Sequence, residues 1–410
     1  MNSTNKFRFS LPKFECKTLA IKLTSAGERS VRSHHPWVFS DSIEKVSKNG
    51  NAGDICVIFS HTKNKVMGIG LYDPKSPIRI KMLHFESGAQ LNTTFFSEKI
   101  KVAFSLRRQL LQSKTNSYRL LFGENDGFPG LIADIYDKVL VVKLYSAIWF
   151  PYFEMILNAL IDVSKCHCAV LRLSRNLQQS PHYELTDGTV LFGTLETEVV
   201  PFLEHGVHFS ANVIKGHKTG YFLDHRENRM QVGKLSKGMK VLDVFSYAGG
   251  FSVHALAGGA KEVTSLDISK QALEIALENG KLNPYTGQHL AIVGDAFKEL
   301  ERLISENKKY NIVVIDPPSF AKSAKETAVA RKKYAQLAQL GVQLTARNGL
   351  LVLASCSSRI LATDFFRINT EALKASGRDF QVENKTYHDQ DHPIGFPEGA
   401  YLKCGYYRME

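Results

Sequence analysis

Four aspartates stand where apolar runs stop: Asp243 in "KVLDVFS", Asp267 closing "EVTSLD", Asp295 after "HLAIVG" and Asp316 closing "YNIVVID". A fifth apolar run, "LLVLAS", leads into Cys356, which lies between Ser355 and Ser357. Acids at the carboxyl ends of parallel strands can bind an amino group, a ribose diol or an exocyclic amine. A cysteine at the same edge can act as a nucleophile. A single strand-end acid is usually a cap and a single strand-end cysteine a small buried hydrophobe. Several in register point to a site.

The glycines narrow the ligand. In "VFSYAGGF" only Gly249 and Gly250 are adjacent, and bulky Phe251 follows. A dinucleotide pyrophosphate needs the G-x-G-x-x-G turn, and a triphosphate needs G-x-x-x-x-G-K-[ST]; neither is present. Asp243 adds negative charge where a phosphate would sit. A cationic nucleoside without phosphate suits this edge, and S-adenosylmethionine (SAM) meets that description. Asp243 is expected to take its amino group, Asp267 the ribose and Asp295 the adenine amine.

The loop "DPPSF" shapes the other half of the site. Pro317 and Pro318 donate no hydrogen bond and end the strand in a stiff rim. With Ser319 and Phe320 they are the expected substrate contacts. Carbon 5 of a pyrimidine is a poor nucleophile toward a methyl sulfonium. A thiolate adding at carbon 6 makes the ring an enamine that attacks readily. Cys356 and Asp316 are therefore the expected catalytic pair, with Asp316 on the ring-nitrogen edge. Lys322 and Arg359 are the nearby cations expected to favour the thiolate.

The elements that must position these groups are legible in outline. From Lys237 onward strand and helix patterns alternate, as in a doubly wound α/β sheet. Short strands and turns between Leu19 and Phe85 predict a small, mostly β module, in which "SHHPWVFS" reads as a turn with a packed tryptophan or as an RNA contact. A helix near 95–112, a hairpin over "LIADIYDKVLVVKLYS", a helix near 150–163 and two further strands predict an α+β middle domain. "EVVPFLEHGVHFSANV" predicts another hairpin, turning at Glu204-His205-Gly206. Residues 1–18 read as a frayed tail.

The chain's 410 residues predict two or three domains. Its 52 Lys+Arg against 40 Asp+Glu give a formal charge of +12, which favours a polyanionic partner. Residues 19–85 hold ten Lys/Arg against five Asp/Glu. No apolar run reaches membrane-spanning length, and no secretion-signal pattern opens the chain. Six scattered cysteines suit a reducing cytoplasm. "CHC" at 166–168 is not expected to bind metal, since a strand would send Cys166 and Cys168 to one face and His167 to the other.

Together, "HPWVFS", "GENDGFPGLIADIYD", "GHKTGYFLDHREN", "FSYAGGF", "DPPSF", "SCS" and "DHPIGFPEGAYLK" resemble the PUA-domain ribosomal RNA large subunit methyltransferase I family, which forms 5-methylcytosine. The resemblance runs from about Leu19 to the C-terminus. It implies an α/β fold with a Rossmann-like class I methyltransferase domain (195–410), preceded by a PUA RNA-binding domain (19–87) and an α+β middle domain (88–194). It implies that Lys218, Thr219, Gly220, Phe222, Asp224 and Arg226 line the cofactor. Phe245, Ser246, Gly249, Ile268, Ala296 and Asp316 complete the expected cofactor set around Asp243, Asp267 and Asp295. The implied partner is large-subunit ribosomal RNA, with no metal and no membrane. The oligomeric state stays open, a homodimer included.

One residue departs from the wider pattern. Many RNA 5-methylcytosine enzymes carry a second cysteine after the Pro-Pro, where this chain has Ser319. The base that removes the carbon-5 proton is then unassigned, and a water held by Asp316 is the expectation. Two other readings stay open: methylation of a guanine ring nitrogen or an exocyclic amine without a cysteine nucleophile, and a non-catalytic RNA-binding ribosome assembly factor.

Overall fold

The computed structural model describes residues 7–61, 65–179, 183–321 and 323–410. They fold as two compact units: residues up to Phe202 with Ala211–Leu223 and Gln390–Pro397, and Leu203–Ser210 with Asp224–Asp389 and Glu398–Glu410.

The second unit is built on a seven-stranded sheet. Its strands are β1 (Lys240–Val244), β2 (Glu262–Asp267), β3 (Gln288–Val293), β4 (Tyr310–Ile315), β5 (Thr345–Ser355), β6 (Phe380–Thr386) and β7 (Lys403–Met409). Their order is β3-β2-β1-β4-β5-β7-β6. The first five are parallel, and β7 runs antiparallel to both β5 and β6. The helices are α1 (Arg226–Leu235), α2 (Gly250–Ala257), α3 (Lys270–Lys281), α4 (Ala296–Ser305), α5 (Thr327–Leu344) and α6 (Ala362–Ala375). Strand residues alternate between two cores: Val241, Val263, Ile312, Val314 and Val352 pack with Phe251 of α2. Leu242, Val244, Val313, Ile315 and Leu353 pack with Tyr334 and Leu337 of α5. Both faces of β1, β4 and β5 are covered, which is why these strands read as apolar runs, whereas the edge strand β3 is largely exposed. The antiparallel pair β6–β7 lacks such a run in β6, whose exposed polar residues hid it from the sequence reading.

In the first unit a six-stranded sheet spans Thr18 to Phe85, and a five-stranded sheet spans Ser117 to Gly193. The N-terminal sheet also carries an unpredicted helix, Ser25–Arg32, capped by the Thr24 hydroxyl. Residues 7–17 do not fray. Phe7, Phe9, Leu11 and Phe14 pack on the core of the five-stranded sheet, and the Arg8 amide donates to the Leu191 carbonyl at 2.9 Å. The "GENDGFPG" turn is organised by charge: Arg107, fully buried, forks onto Asp126 at 2.9 and 2.6 Å. Asp126 also accepts the Phe122 amide at 2.6 Å. Part of the C-terminal motif belongs here too, because Arg107 donates to the Asp391 carbonyl and Asp391 Oδ2 accepts the Arg119 amide. Trp37 is half-buried, donating to Glu124 at 3.0 Å and meeting Phe396 edge-on at 5.1 Å. Packing thus accounts for that tryptophan. Cys166 and Cys168 are buried and His167 exposed, and no metal-ligating cluster occurs among the described residues. No helix among them is long and apolar enough to cross a membrane.

The second unit contains its own buried charge cluster. Glu204 accepts two hydrogen bonds from Arg229 of α1, both at 2.7 Å, and one from His254 of α2 at 3.0 Å. Burial opposes its charge, but Arg229 and His254 outweigh that and hold the carboxyl well below the usual range. Burial lowers the His254 pKa, with Glu204 opposing. Glu204→Gln leaves Arg229 buried without its counter-charge and is expected to destabilise this unit by about 3–5 kcal/mol, read from urea unfolding at pH 7. The Glu204 contribution is present above the unfolded carboxyl pKa and is lost as pH falls toward its depressed folded value. The gap between wild type and variant should therefore shrink in acid.

Candidate functional site

The site grows from a topological reversal. The chain runs β1, β2, β3 outward and returns to β4 on the other side of β1, so a crevice opens at the carboxyl ends of β1 and β4. Val244 pairs with Ile315, and the Asp316 amide donates to the Val244 carbonyl at 3.3 Å. Asp316 thus leaves β4 abreast of the turn that follows β1.

That turn is tightly specified. Phe245 and Tyr247 both adopt left-handed backbone with φ of 64° and 48°, and Gly249 has φ 79°. A Cβ on Gly249 would lie 2.8 Å from the Ala276 Cβ of α3, so glycine is required by conformation and by space. Asp267 holds the turn from β2: its Oδ2 accepts the Tyr247 amide at 2.9 Å and its Oδ1 the Ser269 amide at 2.9 Å. Asn279 of α3 donates to the Ala248 carbonyl at 3.0 Å.

Asp243 lies within β1, 1% exposed. Its Oδ2 accepts the Ser252 amide at 3.0 Å and hydroxyl at 2.6 Å. Ser252 meets the Ser265 hydroxyl at 2.6 Å, which meets His289 Nε2 at 2.8 Å. With each hydroxyl donating toward the acid, Nε2 carries the proton and His289 is neutral, in keeping with a pKa that burial lowers to about 4. Asp243 Oδ1 is buried with no partner among the described residues, as is Ser246 Oγ. Burial, joined by the Asp316 and Asp267 charges and opposed by Ser252, raises the Asp243 carboxyl to about 7.

The other expected contacts vary in setting. Ile268 is 73% exposed beside Asp267. Asp295 caps α4, its Oδ1 accepting the Lys298 amide at 3.2 Å, and Ala296 is the buried first residue of that helix. Asp224 accepts the Tyr401 hydroxyl at 2.8 Å, and Arg226 is fully buried at the start of α1. Lys218, Thr219, Gly220 and Phe222 belong to the first unit. There the Thr219 hydroxyl donates to Asp134 at 2.6 Å, and the Lys218 carbonyl accepts Lys143 Nζ at 3.0 Å.

At the substrate edge Pro317 is buried and Pro318 exposed. Ser319 donates to the Ala321 carbonyl at 3.3 Å. Phe320 is half-buried, edge-on to Tyr334 at 5.2 Å, with Lys333 Nζ 5.0 Å from its ring centre. Its ring therefore braces the rim. The Cys356 thiol, just beyond β5, donates to the Pro317 carbonyl at 3.9 Å. His225, which sequence reasoning missed, is buried with Nε2 3.5 Å from Asp316 Oδ1. Burial disfavours its charge, yet the Asp316 carboxylate prevails and its pKa is raised.

The expected thiolate-favouring cations need correction. Lys322 lies outside the described residues, and Arg359 is exposed. Burial, then the Asp316 and Asp224 carboxylates, push the Cys356 thiol up to about 12, and the opposing cation is Lys403 of β7. The protein therefore holds a protonated thiol at neutral pH. Lys403 was missed because it arrives from an antiparallel strand 47 positions later, a pairing with no local signal.

Comparison with known proteins decides the family. Residues 119–396 match the S-adenosylmethionine-dependent methyltransferase family, and residues 21–85 match a PUA-like domain. The chain is a SAM-dependent methyltransferase. Relatives of this methyltransferase include the "Ribosomal RNA large subunit methyltransferase" of Deinococcus radiodurans, 38% identical over 98% of this chain and 100% of that one. The "Ribosomal RNA large subunit methyltransferase I" of Escherichia coli O157:H7 is 33% identical over 94% of this chain and 98% of that one. Among solved structures, a Streptococcus mutans protein described as a SAM-dependent methyltransferase has a TM-score of 0.80 at 21% identity, covering 95% of this chain and 99% of its own. SMU.776, solved with SAH, has 0.79 at 21% identity, covering 96% and 100%. At that identity the two structures speak for the fold alone.

The donor set of the methyltransferase suits its cofactor. An unpartnered, buried carboxylate oxygen on Asp243 wants a cationic donor, and a phosphate would be repelled. Asp243→Asn is expected to weaken SAH binding by about tenfold to a hundredfold, as for a lost charge-assisted hydrogen bond. In wild type, affinity measured by calorimetry should fall as pH drops below about 7, where Asp243 gains its proton. The variant should lack that dependence.

Proposed function

We propose that this methyltransferase transfers the methyl group of SAM to carbon 5 of a cytosine in large-subunit ribosomal RNA, with Cys356 adding to carbon 6. The observation that carries the reading is the meeting of the Cys356 thiol with the Asp316-Pro317 rim, beside the crevice holding Asp243. The names of the relatives supply the class of RNA. The net charge of +12 suits that polyanion, and the cytoplasm is the compartment implied.

In this reading residues 19–87 grip RNA, 88–194 form a middle domain, and 195–410 carry the chemistry. The cofactor supplies an electrophilic methyl group. Asp243 holds its cationic end, Asp267 its ribose and Asp295 its base. Phe245, Ser246, Gly249, Ile268 and Ala296 line it, with Asp224 and Arg226. The target cytosine leaves its stack and enters the crevice edge-on to Asp316, against Pro317, Pro318, Ser319 and Phe320. Sγ forms a bond to carbon 6 as its proton leaves, and Asp316 relays that proton to the ring-nitrogen edge, so no free thiolate need accumulate. Carbon 5 of the resulting enamine takes the methyl group, leaving S-adenosylhomocysteine. A water held by Asp316 removes the carbon-5 proton, and the carbon–sulfur bond breaks as the ring-nitrogen proton returns through Asp316 to sulfur, releasing 5-methylcytosine and the cysteine thiol.

The raised thiol pKa favours one second reading, direct attack on the methyl group by a ring nitrogen or exocyclic amine. Nucleoside analysis separates the two. Unmodified large-subunit RNA is incubated with labelled SAM and wild type or Cys356→Ala, then digested and resolved by chromatography with mass detection. The expected result is labelled 5-methylcytidine from wild type and none from the variant. Label in an N-methylated base that survives the substitution would replace the cytosine reading with the second one.

A further inference from the structure

A buried lysine beside the nucleophile has no role in the mechanism above. Lys403 is 1% exposed, and no carboxylate pairs with it among the described residues. An ammonium is rarely left in an apolar interior, because losing its water costs several kcal/mol unless other groups replace it. Here backbone carbonyls do so. Nζ donates to Ile360 at 2.6 Å, to Tyr401 at 3.0 Å and to Ser357. Two of these carbonyls, those of Ser357 and Ile360, belong to the loop that follows Cys356, and the three together take all three ammonium donors.

Register explains how the lysine arrives. β7 pairs antiparallel with β5 so that Lys403 stands opposite Ser355, the residue before Cys356. Ser355 is itself fixed, donating from its hydroxyl to Tyr334 of α5 at 2.9 Å. The titratable groups facing Cys356 are Asp316 beyond β4, Asp224 before α1, Tyr334 of α5 and Lys403 of β7. Both carboxylates oppose ionisation of the thiol. Lys403 is the cation on the other side of the balance.

We propose that Lys403 is a positioning residue for Cys356: its ammonium ties the loop after the nucleophile in place, and its charge stabilises negative charge on Sγ as the sulfur adds to or leaves the ring. The inference rests on the reading of Cys356 as nucleophile. It acts through the loop and through the field, since no donor is left over for a hydrogen bond to sulfur. Its own pKa, lowered by burial to about 8, keeps it charged at neutral pH.

Alkylation of Cys356 by iodoacetamide tests this without RNA or SAM. The full chain is labelled across pH 6 to 10, and Cys356 is followed by peptide mass spectrometry, which separates it from the half-buried Cys16. At pH 7, Lys403→Gln and Lys403→Met should react at least about tenfold more slowly than wild type, one pKa unit of thiol ionisation. Lys403→Arg, which keeps the charge, should restore much of the rate. In wild type the rise of rate with pH should flatten near pH 8, as the ammonium loses its proton. That curve needs no variant and reads the coupling even if Lys403→Met fails to fold. Superimposable profiles for wild type, Gln and Met variants, or a wild-type slope that stays at one throughout, would overturn the role. Failure of the nucleophile reading shows elsewhere, as methylation surviving in Cys356→Ala.

Discussion

A carboxylate that is almost wholly buried and only half satisfied sets the terms for the second unit. Asp243 sits inside the first of five parallel strands, with one oxygen held by Ser252 and the other without a partner among the described residues. Leaving a charge in that position is unfavourable unless a cation completes it, and the raised pKa expresses the same fact. The relay through Ser252 and Ser265 to His289 fixes the side chain from behind, so the open oxygen keeps one direction. The left-handed turn follows the strand directly, and the missing Cβ at Gly249 lets that turn pack against Ala276 of α3.

The other buried charges make the contrast clear. Glu204 is matched by Arg229 and His254, Arg107 by Asp126, and Arg119 by Asp134 at 2.9 and 3.0 Å. Every one of these ions meets a fork or a donor of opposite sign, and each joins elements distant in sequence. Such pairs specify how elements dock more than they add to stability. Asp243 lacks that closure, and this difference separates a group kept for a ligand from groups kept for the fold.

Around Cys356 the same economy of charge appears in another form. Two carboxylates face Cys356, and burial adds to their effect, so the resting sulfur keeps its proton. A permanently ionised cysteine would be open to oxidation and would oppose the nearby acids. In the proposed mechanism, coupling proton loss to bond formation avoids both, and a lysine whose three donors are tied to carbonyls holds the loop without covering the sulfur.

Much of this was legible in the amino-acid order because it is local. Apolar runs marked the parallel strands, the central ones because both their faces are covered, and the acids and Cys356 stood at or near their ends. The Gly-Gly turn excluded a pyrophosphate by its own spacing. The motifs carried the family, and the comparisons agree. Long-range pairing was not legible. β7 brings Lys403 opposite Ser355, the segment before α1 brings His225 to Asp316, and Asp391 joins Arg107 and Arg119 in the first unit. The packing of residues 7–17 was likewise invisible: Phe7, Phe9 and Leu11 alternate as a strand would, but the segment joins no sheet, and where it docks is set by a core built far along the chain. Periodicity and strand-end chemistry depend on neighbours along the chain, so the sequence by itself determined the sheet and the cofactor class and singled out Cys356 as the candidate nucleophile. Which buried ion faces which is settled only when distant segments meet, so the tertiary structure alone decided the protonation of the thiol and the lysine that opposes its neighbours.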